Sequence, residues 1–244
     1  AYLSPSQYLT DDGQTFTFEV WFKRSELGAG DILSFVSTTG AAQQCGIGFS
    51  NYANQQLSLW QYAPATYQYR KVLARKFRDP SQWYHLVVAF DTTNAVAEDR
   101  IRIFVNGVRE TAFTVNTNPA QNLTSYFANG SHYAYLGCQN RNSGFLYGFG
   151  GYIAEPRVLT GTAYDADDFG EFNSTTGEWV PKEVTGLTYG TNGFYLPFSD
   201  NTNTTTLGED SSGNGNDWTL NNITTADSVT DTPTNNFATL NNLA

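Results

Sequence analysis

Charge is scarce in this chain. Asp, Glu, Lys and Arg together make up 15% of its 244 residues, against about 25% in an average soluble domain. Long solvated helices need charged faces, so few are expected. Acids outnumber bases, 23 to 13, for a net charge of −10. A surface of that sign repels phosphate backbones, so nucleic acid is not expected as a partner. The only basic stretch, residues 70–78 (RKVLARKFR), reads as strand and loop with solvated charges; a local polyanion contact there is the lesser reading. No apolar run approaches the ~20 residues of a membrane helix, so no membrane insertion is expected. The opening segment AYLSPSQYLT has neither a basic n-region nor an apolar h-region, so no signal peptide is expected. Cysteine is scarce too. Cys45 and Cys138 are too few for a disulfide scaffold. Thiols so far apart in sequence are more often buried and free than bridged, and a bridge would require their strands to be neighbours.

Catalytic groupings are also missing. Glycan cleavage by paired carboxylates needs two acids spaced to point inward together. Glu19 and Glu26 are separated by a turn, Glu98 and Asp99 sit in a hairpin loop, and Glu209 and Asp210 sit in a Gly-rich loop. There is no nucleophile elbow and no phosphate loop. The two histidines give poor support for zinc. His85, inside an apolar strand, reads as a hydrogen-bonded core residue, and His132 sits in a loop. The chain is expected not to be an enzyme.

What is abundant favours strands and turns. Aromatics reach 15%, there are 22 glycines, and Asn and Thr crowd the loops. In Thr15–Lys23 (TFTFEVWFK), Phe16, Phe18, Val20 and Phe22 share one face, and Thr17, Glu19, Trp21 and Lys23 the other. Further strands are predicted at Ile32–Val36, Gly46–Ser50, Leu57–Tyr62, Tyr67–Leu73 and Trp83–Phe90, the last apolar on both faces and therefore central. Ile101–Val105 leads into an Asn106-Gly107 hairpin turn, with Val108–Phe113 as the return strand. Later strands are expected at Tyr133–Gly137, Phe145–Tyr147, Tyr152–Leu159, Phe194–Phe198 and Asp217–Leu220, with one short helical stretch in Tyr164–Phe169. Many short strands with regular turn signals predict an all-β antiparallel sandwich or barrel in one domain. Asp200–Thr206 and Asn221–Asn236 are the loosest segments.

Several of these segments, taken in order, resemble the laminin-G-like branch of the concanavalin-A-like lectin fold: FTFEVWFKR at 16–24, WYHLVVAFD at 83–91, IFVNGV at 103–108 and GYIAEPRVLTGTAYDADDF at 151–169. The resemblance implies a concanavalin-A-like (laminin-G-like) sandwich, or jelly roll. DSSGNGNDWTL at 210–220, preceded by FYLPFS at 194–199, resembles the segment that usually opens that family. Its place here implies a circularly permuted chain, with a domain over 1–220 and residues 221–244 as an arm or the start of a further segment. FRDPSQW (77–83), DFGEFNSTTGEW (168–179), YGTNGFYLPF (189–198), DSSGNGNDW and DTPTNN (231–236) are similar in order to structural or tail-associated proteins of tailed bacteriophages. That resemblance implies a virion protein (a tail fibre, tail tip or capsid-surface appendage). It also implies assembly in the host cytoplasm, in many copies or as a homo-oligomer, with other virion proteins as partners and attachment to the host surface as a role.

Two aromatic clusters have the chemistry to stack on sugar rings: Trp60, Tyr62, Tyr67 and Tyr69, and Phe145, Tyr147 and Phe149. They make a host surface glycan an expected partner, although aromatics serve protein interfaces and cores equally well. The resemblance also implies a Ca²⁺ option at Glu155, Asp210, Asn214 and Asp217, since some members bind calcium near this loop and a late Asp-Glu strand. Here Ala154 replaces the Asp of that strand. A tight turn held by Asx hydrogen bonds, with Gly213 and Gly215 at positive φ, is the preferred reading. Pro156 removes a ladder donor, so its strand should be an edge or carry a bulge.

Overall fold

The computed structural model describes residues 1–5, 9, 11, 13–37, 43–49, 55–127, 130, 132–141 and 144–234. Ser50, Asn129 and residues 235–244 lie outside them. The strands are β1 (Tyr2–Pro5), β2 (Thr15–Arg24), β3 (Gly30–Ser37), β4 (Gln44–Phe49), β5 (Ser58–Ala63), β6 (Thr66–Leu73), β7 (Trp83–Asp91), β8 (Ile101–Val105) and β9 (Val108–Arg109). They continue as β10 (Phe113–Thr117), β11 (His132–Leu136), β12 (Gln139–Arg141), β13 (Gly144–Leu146), β14 (Gly151–Thr160), β15 (Gly170–Phe172), β16 (Trp179–Pro181), β17 (Phe194–Tyr195) and β18 (Trp218–Asn221). One α-helix is present among the described residues, α1 (Thr204–Leu207), inside the segment read as loose and started by the Asn203 side chain as N-cap. No helix among the described residues is long and apolar enough to cross a membrane.

Two antiparallel sheets face each other. One has eight strands in the order β10-β6-β5-β4-β3-β11-β1-β18, the other six in the order β17-β14-β2-β7-β8-β9. The alternation in β2 explains the packing. Phe16, Phe18, Val20 and Phe22 enter the core between the sheets, where Leu33, Phe35, Ile47, Leu59 and Tyr69 come from the other side. Each fully buried side chain of this size contributes about 1.5–3 kcal/mol. The opposite face of β2 is buried as well: Thr17, Glu19, Trp21 and Lys23 are all under 5% exposed. They are covered by the chain after β14, which forms a second apolar layer. Phe169, Trp179, Leu187 and Tyr189 pack there on Val87, Ala89 and Phe104.

Three local outcomes refine the sequence reading. Asn106 and Gly107 take φ of 50° and 77°, as a two-residue hairpin requires. The return strand β9 is only two residues long; the chain then crosses to the other sheet, where β10 pairs with β6. Val108–Phe113 is therefore not one strand. β14 has neighbours on both sides, and it accommodates Pro156 with a register shift between Ala154 and Arg157 and a φ of 53° at Glu155. Residues 194–221 supply an outermost strand to each sheet, β17 and β18. Beyond β18 the chain returns to the body, where the Asp231 carboxylate accepts from Lys23 Nζ at 2.7 Å and Trp83 Nε1 at 3.1 Å.

Candidate functional site

The outer face of the eight-stranded sheet carries a trough. In β4, Cys45, Ile47 and Phe49 point into the core, and Gln44, Gly46 and Gly48 therefore occupy the outer face. The two glycines keep the floor low. A Cβ on Gly46 would lie 3.1 Å from the Trp60 ring, and one on Gly48 would collide with Asp31. Trp60, Tyr62, Tyr67 and Arg70, from β5 and β6, form one wall. Gln139 and Tyr147, from the β12–β13 hairpin and the residue after it, form the other. The cavity between them is about 460 Å³, enough for one or two sugar rings. The hairpin side is anchored by the Asp31 N–H, which donates to the Tyr147 carbonyl at 2.9 Å.

The lining has a consistent chemistry. Tyr62 stands edge-on to Tyr67, with centroids 5.2 Å apart. Tyr67 is 44% exposed. Gln44 and Trp60 are more than nine-tenths buried, yet Gln44 Oε1 and Trp60 Nε1 have no hydrogen-bond partner among the described residues, and neither does Ser58 Oγ nearby on the same face. Leaving such groups unpaired costs about 1–3 kcal/mol each. An acceptor, a donor and a hydroxyl beside aromatic faces suit a polyhydroxylated ring.

The first aromatic cluster is thus split. Trp60, Tyr62 and Tyr67 line the trough. Tyr69 does not: it is fully buried, its hydroxyl lies 3.3 Å from Ser125 Oγ, and its ring packs on Phe90. A bulge pairs Gln61 with Tyr69 but Tyr62 with Tyr67, which sends the two β6 tyrosines to opposite faces. The second cluster is split too. Tyr147 joins the trough. Phe145, 51% exposed, stacks instead on Tyr2 at 4.2 Å beside Tyr135. Phe149 packs against the core rings of Phe22 and Phe49. Sequence reasoning missed Gln44, Asp31, Arg70 and Gln139; the alternating glycines of β4 were the available signal.

The residues considered for calcium are otherwise engaged. The Asp210 carboxylate accepts from the backbone of Tyr195, Ser212 and Asn216 and from Ser212 Oγ. Asp217 accepts from the Asp210 N–H, and Asn214 donates to Gly190 and Gly193. Gly213 and Gly215 have positive φ. Glu155 is paired with Arg157 at 2.7 Å. Among the described residues no group of three or more His, Cys, Asp or Glu is placed to hold a metal ion. The loop carboxylates serve as acceptors for the turn's own N–H and O–H groups, and Glu155 for a guanidinium. Cys45 and Cys138 are buried and free, and burial pushes the Cys138 thiol up to about 12.

A second concentration of ionisable groups lies under the added layer. Glu19 Oε1 faces His85 Nε2 at 2.9 Å, and Arg157 Nη1 donates to Glu19 Oε2 at 2.7 Å. Trp179 Nε1 donates to His85 Nδ1 at 2.9 Å. An indole can only donate, so the imidazole proton sits on Nε2 and points at Glu19. Trp21 stacks on the same ring at 4.5 Å. Glu19 and His85 are 0% exposed, so no substrate reaches them; the group fastens the covering layer to the sheet.

The family model for the concanavalin A-like lectin/glucanases superfamily matches residues 1–167. No curated protein sequence matches the chain. Among solved structures, a Bacteroides ovatus protein provisionally described as carbohydrate-binding superposes with a TM-score of 0.52 at 16% identity, over 89% of this chain and 55% of that one. Domains LG4-5 of the mouse laminin alpha1 chain give 0.46 at 11% identity, over 68% and 41%. The CBM40 of a Ruminococcus gnavus IT-sialidase gives 0.47 at 14%, over 64% and 80%. The chain therefore spans about half the length of the first two, and the likeness is one of fold.

Proposed function

The chain belongs to the concanavalin A-like lectin/glucanases superfamily, and from that premise we propose that it is a non-catalytic carbohydrate-binding protein whose ligand lies in the trough of the eight-stranded sheet. One observation carries the reading: Gln44 and Trp60, whose buried Oε1 and Nε1 have no partner among the described residues, line one cavity with Tyr62, Tyr67 and Tyr147. The rings supply stacking faces, and the two polar atoms supply an acceptor and a donor. The absence of paired carboxylates from the sequence motifs supports binding without cleavage. A glycan array followed by titration calorimetry tests it. At least one glycan class should bind the wild type, Tyr67→Ala should weaken that binding, and Phe145→Ala should leave it unchanged. Equal loss in both variants, or no bound glycan, would sink the trough as the site.

The ordered segments similar to phage tail-associated proteins favour a second, compatible reading, in which the domain is a virion component that holds the particle to a host surface glycan and neighbours other virion proteins. Immunogold labelling of purified particles with antibodies to this chain tests it. A chain missing from the particle would end that reading and leave the glycan site standing.

A further inference from the structure

The trough holds a cation, Arg70, that meets no carboxylate among the described residues. Arg70 lies across from Trp60 in the β5–β6 ladder, on the outer face. Its guanidinium sits 4.9 Å from the centroid of Tyr67, which positions it by cation–π attraction and leaves its N–H edges available. The other arginines whose side chains are described all donate to a named oxygen. Arg75, Arg102, Arg109 and Arg157 meet carboxylates, Arg24 and Arg100 meet backbone carbonyls, and Arg78 meets the Gln55 amide. Arg70 has no acceptor among the described residues. In a chain with ten more acids than bases, an arginine held at a cavity wall without a carboxylate is a departure from the prevailing pattern. Asp31, the acid in the same trough, is 2% exposed and has its own partners in the chain.

A guanidinium presents a planar fork of N–H donors that matches a carboxylate or a sulfate in two-point contact. Its cost of desolvation on ligand binding is recovered only if the ligand brings such an acceptor. Gln44, Trp60, Tyr62 and Tyr67 line the same cavity as Arg70, so an acceptor, a donor and two rings lie in its walls. We propose that the trough selects an acidic sugar, a pyranose bearing a carboxylate or sulfate ester, with the acidic group on Arg70 and the ring on the tyrosines. This rests on the carbohydrate reading above and narrows it.

The test uses three versions of one disaccharide: uncharged, hexuronate-terminated and sulfate-esterified. Each is titrated into the whole chain, into Arg70→Gln and into Arg70→Lys, with the fold of each variant checked by thermal unfolding. The expected result is binding of at least one acidic version about tenfold or more tighter than the uncharged one, lost in Arg70→Gln and only partly restored in Arg70→Lys. The two acidic arms tell carboxylate from sulfate. Binding of the acidic version should also weaken with added salt. Equal affinity for the uncharged version, unchanged in Arg70→Gln, would overturn the acidic-sugar proposal while leaving the glycan site intact. No binding of any sugar, here or on the array, would overturn both.

Discussion

Consider Glu19→Gln, a change of one atom at a fully buried position. In the wild type, one carboxylate oxygen accepts from His85 Nε2 and the other from Arg157 Nη1. A glutamine amide has one oxygen and one NH2 group. Whichever way it turns, one of the two donors then faces another donor. Trp179 already occupies Nδ1 of His85, so the histidine cannot escape by changing tautomer. Arg157 keeps Glu155, whose side chain is 39% exposed, and the ring of Tyr195 at 3.9 Å. Removing one member of a buried ion pair costs about 3–5 kcal/mol; the surviving Glu155 contact argues for the lower end, about 3 kcal/mol. In a domain of this size each kcal/mol moves Tm by about 2–4 °C, so a drop of about 6–12 °C is expected by calorimetry. Urea unfolding of Glu19→Gln, Arg157→Met and the double variant completes a cycle. The double variant should lose at least about 1.5 kcal/mol less than the two single losses added together. A Tm within about 2 °C of wild type, or additive losses, would refute the idea that these residues form one fastening.

Other consequences are equally direct. Tyr67→Ala should weaken glycan binding about tenfold by calorimetry while moving Tm by no more than about 2 °C, because the side chain is 44% exposed. Tyr69→Ala, by contrast, should cost about 3–5 kcal/mol in urea unfolding, since it empties a core position. Burial lowers His132 to about 4 from the ordinary 6.5. Below pH 6.5 the unfolded chain therefore binds a proton that the native state refuses, and stability should fall by about 1–3 kcal/mol as pH drops from about 6.5 to about 4. A His132→Gln variant should lose that leg of the pH profile, and an unchanged profile would rule the histidine out. Gly107→Ala should destabilise by more than an ordinary turn substitution, because the residue has φ of 77° and a Cβ there would overlap the Trp179 ring.

The sandwich was legible because period-2 alternation and turn chemistry are local signals. Phe16, Phe18, Val20 and Phe22 announce a core face, and Asn106-Gly107 announces a hairpin. The site was half legible. Trp60, Tyr62, Tyr67 and Tyr147 stand out as aromatics, but alternation alone cannot locate a bulge, so Tyr69 was placed on the wrong face. Phe145 could not be separated from Tyr147 either, because Tyr147 lies just past the end of β13 with a φ of 51°, which breaks the alternation. Arg70 was hidden inside a basic run whose other members are solvated or paired. The Glu19–His85–Arg157 group depends on contacts 66 and 138 positions apart, which no local pattern encodes.

The pairing of β1 with β18 has a consequence in time. Ser4 and Asn221 lie 217 positions apart. At about 5–20 residues per second, a ribosome needs on the order of 10–40 s to travel between them. For that interval β1 has no β18 to cover its outer edge, and among the described residues it meets β11 in one register pair, Leu3 with Leu136. The nascent sheet therefore waits with an open edge, a template for pairing with another chain. Until β18 arrives, β1 is the strand of this sheet most in need of protection.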